Sequence, residues 1–123
     1  MNNQNFNEAR AGAFAEVLLD TLNKSSLSFM LSIGHRSGLF DAMSEMDFTK
    51  SEEIAANTNL NERYVREWLG AMVTGGIIEY TAESKTYRLP PEHAAFLTRK
   101  AGADNIGVFM QYSAVMARLK MRF

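Results

Sequence analysis

The chain has 123 residues, of which 46% are hydrophobic and 22% are charged, and this length and composition fit one globular domain with a buried core. It contains no cysteine, which excludes disulfides, thiolate zinc sites and cysteine nucleophiles, and its formal net charge of -1 argues against nucleic acid, whose binding proteins usually carry a basic surplus. No apolar run approaches the roughly 20 residues of a membrane span, and the amino terminus lacks the layout of a signal peptide, so we expect a cytoplasmic protein that does not enter a membrane.

A first helix is predicted over about residues 7–22. Its large apolar side chains recur at spacings of three and four: Phe14, Val17, Leu18 and Leu22. Further apolar residues widen this stripe beyond one face: Ala11, Ala15 and Leu19. A helix that is apolar on more than one side usually touches more than its own core, so we expect this one to have an additional contact.

A second helix is predicted from about Leu27, with Ser25 or Ser26 as its N-cap. It pauses near Gly38 and resumes as a short turn over residues 39–43. The residues predicted to face inward are Leu27, Met30 and Leu31, with Phe29 and Ile33 beside them.

Residues from about 50 to 75 are predicted to form a helix-turn-helix. A capping box, in which the side chains of Thr49 and Glu52 each bind the other residue's backbone N–H, starts a short helix that ends near Asn57. Residues 58–60 make a turn of suitable length, and Asn61 is a fitting N-cap for the second helix. Adjacent apolar pairs then repeat every four residues, as expected for a helix lying on a core: Tyr64/Val65, Trp68/Leu69 and Met72/Val73.

Gly75 and Gly76 end this helix, and two short strands joined by a polar tip form a β-wing over about residues 77–89. Pro91 opens a brief helix. A last helix is predicted over about residues 104–123, with apolar side chains on both sides. The predicted fold class is therefore mainly α: a winged helix-turn-helix with a small two-stranded wing and extra helices at both ends.

The charged residues in the second helix of the helix-turn-helix decide whether that helix could bind DNA. Its two arginines, Arg63 and Arg66, are offset by Glu62 and Glu67, and the unit from Thr49 to Leu89 has five basic and six acidic residues. One interpretation is two i,i+4 ion pairs on a solvated face. The alternative is that four basic residues grip phosphates, two from the helix and two from the wing: Arg63, Arg66, Lys85 and Arg88.

No complete catalytic or metal-binding constellation is recognisable in the sequence. Neither His35 nor His93 has a second ligand at suitable spacing, so we expect both to be surface or capping residues. No glycine-rich phosphate loop or nucleophile elbow is present. Several methionines could line an adaptable pocket for an apolar ligand or simply fill the core: Met30, Met43, Met72, Met110 and Met116.

Four segments of the sequence, taken in their order along the chain, resemble a known protein family. The segments "IGHRSGLFDAM", "SEEIAANTN", "LNERYVREWLGAMVTGGIIEY" and "YRLPPEHAAFLT" resemble, in this order, the amino-terminal winged-helix domain of class I S-adenosylmethionine (SAM)-dependent methyltransferases. Plant small-molecule O-methyltransferases share the same plan. The resemblance covers nearly the whole chain.

This resemblance implies a domain that dimerises the enzyme and roofs its substrate pocket, without catalysis of its own. The implied homodimer interface contains Phe14, Val17, Leu18, Leu22 and Leu31. The implied substrate lid contains Phe109, Tyr112 and Met116. The family's catalytic domain and its SAM-binding loop have no counterpart in these 123 residues, so we expect SAM to be bound by a longer parent protein and neither cofactor nor metal by this segment. A winged-helix transcriptional regulator is the alternative, and a small ligand-binding module is a third hypothesis.

Overall fold

A computed structural model describes residues 5–105 of the chain. Its helices are α1 (Glu8–Ser37), α2 (Leu39–Ser44), α3 (Ser51–Thr58), α4 (Glu62–Thr74) and α5 (Pro91–Leu97), followed by a 3₁₀ segment, Arg99–Asp104. The strands β1 (Glu79–Thr81) and β2 (Thr86–Arg88) form one antiparallel hairpin. The predicted winged helix-turn-helix, mainly helical with a two-stranded wing, is therefore confirmed. Nearly all of the predicted last helix, about residues 104–123, lies outside the described residues, which end at residue 105.

The amino-terminal segment contains one long helix where the sequence predicts two. Asn7 caps α1 by accepting a hydrogen bond from the backbone N–H of Arg10 at 3.0 Å, and the helix then runs for 30 residues. The predicted break at Ser25 or Ser26 does not occur, because no glycine or proline interrupts the backbone hydrogen bonds there. The helix ends at Gly38, whose φ of 81° lies in the left-handed region that favours glycine.

The helix-turn-helix comprises α3 and α4. Asn59 adopts a left-handed conformation with φ 56° in the turn, and the Asn61 side chain accepts hydrogen bonds from the backbone N–H groups of Arg63 and Tyr64 at 3.0 and 3.4 Å. This confirms Asn61 as the N-cap of α4. The helix ends before Gly75, and the left-handed residue is Gly76, with φ 76°.

The capping box predicted at the start of α3 is wrong. Thr49 is engaged by the wing instead: its backbone N–H donates to the Tyr87 carbonyl at 2.9 Å and its carbonyl accepts from the Tyr87 N–H at 2.8 Å. The N-cap is Lys50, with no side-chain bond to the helix. The backbone pairing places Thr49 one residue too early to cap α3, and it ties the helix-turn-helix to β2.

The core lies between α1, α2 and the helix-turn-helix. Its members are Leu31, Leu39, Phe40, Met43, Ile54, Ala55, Val65, Trp68, Leu69, Met72, Ile78 and Leu89. Two rings meet where α1 crosses α4: those of Phe40 and Trp68 lie 5.2 Å apart, and the Trp68 indole N–H donates to the Met30 carbonyl at 2.9 Å. Gly34 makes this crossing possible, because a Cβ there would lie 2.5 Å from Phe40 Cε2 and 2.6 Å from Trp68 Cζ2.

No helix within residues 5–105 combines the length and the apolarity that crossing a bilayer requires.

Candidate functional site

The amino-terminal part of α1 is exposed over its whole circumference. Every residue from Glu8 to Ser26 is exposed to solvent, a run of about 28 Å at 1.5 Å per residue. The rest of α1, from Leu27 onward, packs on the core through one face. The core therefore holds the long helix through its carboxyl-terminal part, and within the described residues no side chain of its first five turns is buried or half-buried.

The exposed part of α1 carries most of the residues predicted for the dimer interface. Phe14, Val17, Leu18 and Leu22 are 55–63% exposed, and Leu19 is 60% exposed. We name these five residues the apolar stripe. Monomeric soluble proteins rarely expose contiguous apolar surface of this kind unless another molecule covers it.

Leu31 lies elsewhere. It is 8% exposed and belongs to the core of its own chain, so its side chain is not available to a partner. Phe29 and Ile33, expected from the sequence beside the inward face, are instead 50% and 37% exposed. Their spacing from Leu22 is seven and eleven residues, and this places all three on one side of a helix with about 3.6 residues per turn. The periodicity alone could have identified them, once α1 is known to be a single helix.

The arginines of α4 are paired as the sequence predicts. Arg63 Nε lies 3.6 Å from Glu67 Oε1, and Arg66 Nη2 lies 3.7 Å from Glu62 Oε1. Both are i,i+4 contacts on a solvated face, where such pairs contribute only a few tenths of a kcal/mol. The exposed face of this recognition helix therefore carries no surplus of positive charge.

The basic residues of the wing do not form a phosphate-binding pair either. Arg88 lies between two carboxylates, Asp47 at 3.8 Å and Glu79 at 3.9 Å, and its guanidinium stands 5.7 Å from the centre of the Phe48 ring. Lys85 sits in the turn between the strands with φ 55°. Arg88 is thus committed to local contacts, and Lys85 is separated from it along the hairpin.

Both histidines contact other parts of the domain. His93 Nδ1 lies 2.7 Å from the Ile77 carbonyl, so this residue links α5 to the segment before the wing. His35 is buried at 7% exposure, contrary to the expected surface position, because it faces the core side of α1. Burial, together with the nearby positive charge of Arg99, lowers the pKa of His35. Arg99 also donates to the His35 carbonyl and pairs with Asp41.

A groove of about 570 Å³ runs between α1 and α4. The groove is lined on α1 by polar and apolar residues, Asn23, Lys24, Ser26, Leu27 and Met30, and on or next to α4 by small residues, Gly70, Ala71, Thr74 and Gly75. Met43 and Met72 are buried in the core, which supports the core-filler interpretation of these two methionines. Within residues 5–105 no three His, Asp or Glu side chains converge as metal ligands would.

The residues predicted for the substrate lid, Phe109, Tyr112 and Met116, lie outside the described residues. Their role stays a prediction.

Comparison with known proteins identifies the fold. The model of a family described as the Rv2258c-like winged helix-turn-helix domain matches residues 25–99. No curated protein matches the chain. Among solved structures, the mitomycin 7-O-methyltransferase MmcR aligns with a TM-score of 0.70 at 16% identity, over 88% of this chain and 31% of MmcR.

Two further methyltransferase structures align in the same way. The SAM-dependent methyltransferase SibL has a TM-score of 0.64 at 25% identity, over 82% of this chain and 29% of SibL. Human N-acetylserotonin methyltransferase, solved with SAM, has a TM-score of 0.65 at 18% identity, over 95% of this chain and 33% of that enzyme. The chain thus spans about a third of the length of these proteins. The predicted resemblance to the winged-helix domain of SAM-dependent methyltransferases is confirmed.

Proposed function

The chain belongs to the family of Rv2258c-like winged helix-turn-helix domains, and from this premise we propose that it is the dimerisation and substrate-lid domain of a cytoplasmic SAM-dependent small-molecule methyltransferase. The segment itself is not catalytic. SAM and the methyl acceptor bind in a catalytic domain of the parent enzyme, to which this domain contributes the two-fold interface and part of the pocket roof.

The apolar stripe of α1 is the observation that carries the dimerisation proposal. Helices in proteins gain most of their stability by packing an apolar face against a neighbour. The exposed part of α1, Glu8 to Ser26, has the apolar residues for such packing, but the described part of the chain leaves every one of its residues exposed to solvent. A second copy of the same helix satisfies this need, because a two-fold axis buries the same patch on both chains.

The lid proposal rests on the family resemblance and on the candidate residues Phe109, Tyr112 and Met116. In the parent enzyme, replacing Phe109 or Met116 by alanine should raise the KM for the methyl acceptor while leaving the Kd for SAM unchanged, since the lid touches only the acceptor. Equal effects on both ligands would contradict a lid role.

The alternative, a winged-helix DNA-binding regulator, lacks the charge that it needs. Nonspecific DNA affinity comes from cations that neutralise phosphates, and here Arg63, Arg66 and Arg88 each face a carboxylate within 4 Å. We therefore do not propose nucleic acid as a partner.

Sedimentation velocity at micromolar concentration tests the dimer. The unmodified chain should sediment as a dimer. The double substitution Leu18→Glu with Leu22→Glu should convert it to a monomer, because it would bury unpaired carboxylates of both chains in the interface. Ala13→Glu is the matched control: residue 13 is exposed and nine positions from Leu22, which is about 180° around the helix. This variant should remain a dimer. A clean monomer of the unmodified chain would refute the proposal.

A further inference from the structure

Arg99, the first residue of the 3₁₀ segment, ties that segment to the ends of two helices. Its backbone N–H donates to Asp41 Oδ1 at 2.8 Å, and its guanidinium pairs with the Asp41 carboxylate. The same guanidinium donates through Nη2 to the His35 carbonyl at 2.9 Å. We name these contacts the Arg99 bridge. The bridge joins three elements, because His35 lies in the last turn of α1 and Asp41 in the first turn of α2.

The ion pairs that hold the 3₁₀ segment are weak enough to open. The side chains of Arg99 and Asp41 are 53% and 33% exposed. The neighbouring contact of Lys100 with Glu45, at 2.6 Å, is more exposed still. Ion pairs in contact with solvent contribute little to stability. One additional charge beside the Arg99 bridge can therefore change whether it is closed or open.

His35 is the titratable residue beside the bridge. It is buried, and within residues 5–105 its Nδ1 atom has no hydrogen-bond partner. Burial and, after it, the positive charge of Arg99 lower the pKa of His35, whereas the negative charge of Asp41 raises it. From α4 the uncharged Trp68 packs against this part of α1, and the adjacent Arg36 is exposed to solvent. The charges that act on His35 among the described residues are thus the two partners of the bridge.

We propose that His35 is a proton-sensitive switch for the Arg99 bridge. Neutral His35 leaves Asp41 paired with Arg99, whereas protonated His35 takes Asp41 as its own partner and releases Arg99 together with the 3₁₀ segment. An imidazolium has two N–H donors and a charge that is costly to bury unpaired, and Asp41 supplies both an acceptor and the opposite charge. This inference goes beyond the proposed function and does not depend on it.

The coupling between the proton and the bridge is reciprocal. Because the Arg99 guanidinium disfavours protonation of His35, protonation of His35 disfavours the bridge by the same factor. When the bridge opens, the pKa of His35 moves back toward its ordinary value of about 6.5. The bridge should therefore be closed at neutral pH and open progressively as the pH falls below about 6.5.

Nuclear magnetic resonance of the full chain tests the switch. The Arg99 amide proton donates to Asp41 only while the bridge is closed, so its chemical shift measures the closed fraction. Between about pH 7.5 and pH 5.5 the ratio of closed to open bridge should fall about fivefold. The midpoint should match that of the His35 ring protons. The amide of Leu69, in the core, should keep its folded position throughout and so separate opening of the bridge from unfolding.

Two substitutions of histidine identify the responsible residue. His35→Gln cannot take up a proton, so the Arg99 signal should become independent of pH in this range. His93→Gln is the matched control, because it removes the other histidine of the chain and should leave the pH dependence in place. A dependence that persists in His35→Gln would overturn the proposal, as would one lost in His93→Gln alone.

Arg99→Gln tests the reciprocal effect and does not require a change in the core. Removing the positive charge beside His35 should raise the pKa of this histidine, measured from its ring protons in the folded chain. An unchanged pKa would show that Arg99 and His35 are not coupled and would overturn the proposal even if His35→Gln failed to fold. Loss of the folded Arg99 and Leu69 signals at one common pH would likewise overturn it, because the domain would then be unfolding as a whole.

Discussion

Gly34 is the residue on which the crossing of α1 and α4 depends most directly, and Gly34→Ala should destabilise the domain. The added methyl group would lie 2.5 Å from Phe40 and 2.6 Å from Trp68, two side chains that are 1% and 4% exposed. Trp68 is further held by its hydrogen bond to the Met30 carbonyl. Neither ring can yield toward solvent, so the helices must separate.

The expected magnitude follows from two opposing effects. Overpacking of a core costs about 1–3 kcal/mol, and two rigid rings place this site at the upper end. Alanine is favoured over glycine inside a helix by about 1 kcal/mol, which offsets part of the cost. The net loss in the free energy of unfolding should be about 2 kcal/mol, or a Tm lower by about 8 °C for a domain of this size.

Gly12→Ala is the matched control, since it makes the same change in the same helix. Nothing lies within 4 Å of a Cβ at Gly12, so only the helix preference remains and the Tm should stay constant or rise by up to about 4 °C. Thermal unfolding followed by circular dichroism measures both variants at one protein concentration. If Gly34→Ala proves as stable as the unmodified chain, the close approach of the rings does not limit this position and the reasoning is wrong.

Three other measurements probe the remaining features. Asn61→Ala should cost about 1 kcal/mol of unfolding free energy because two N–H groups of α4 lose their acceptor, whereas Asn61→Asp should be neutral or stabilising; equal losses would contradict the cap. The lowered pKa of His35 means that the unfolded chain binds its proton first as the pH falls through 6.5, so stability should decrease between pH 7 and 5.5, and His35→Gln should flatten that dependence; an unchanged slope would show that His35 is not responsible. Duplex DNA should bind weakly, with a shallow dependence on salt that the double substitution Arg63→Ala with Arg66→Ala does not change; a steep slope lost in that variant would favour the DNA-binding regulator.

Features that depend on residues three or four apart were predictable from the sequence. The N-cap at Asn61 and the ion pairs of Arg63 with Glu67 and of Arg66 with Glu62 are local, and the structure has each of them. The wing followed from turn residues between two short β-forming runs. The absence of a basic surplus on α4 was likewise visible in the sequence, because it is a count of charges.

Features that depend on distant contacts were decided only by the tertiary structure. Thr49 can cap α3 by its sequence, but pairing with Tyr87, far along the chain, holds its backbone in a different role. Ser25 and Ser26 are suitable N-cap residues, but in the structure both lie inside α1, which begins at Glu8.

The sequence by itself therefore determined the winged helix-turn-helix and the neutral character of its recognition helix. The tertiary structure decided which apolar residues of α1 are buried: Leu31 lies in the core, whereas Phe29 and Ile33 face outward. The physical reason is that helix periodicity specifies which residues share a side, but the side that meets the core is chosen by what packs there. Here Trp68 and Phe40 pack against α1 at Gly34, and this contact sets which side of the helix is buried.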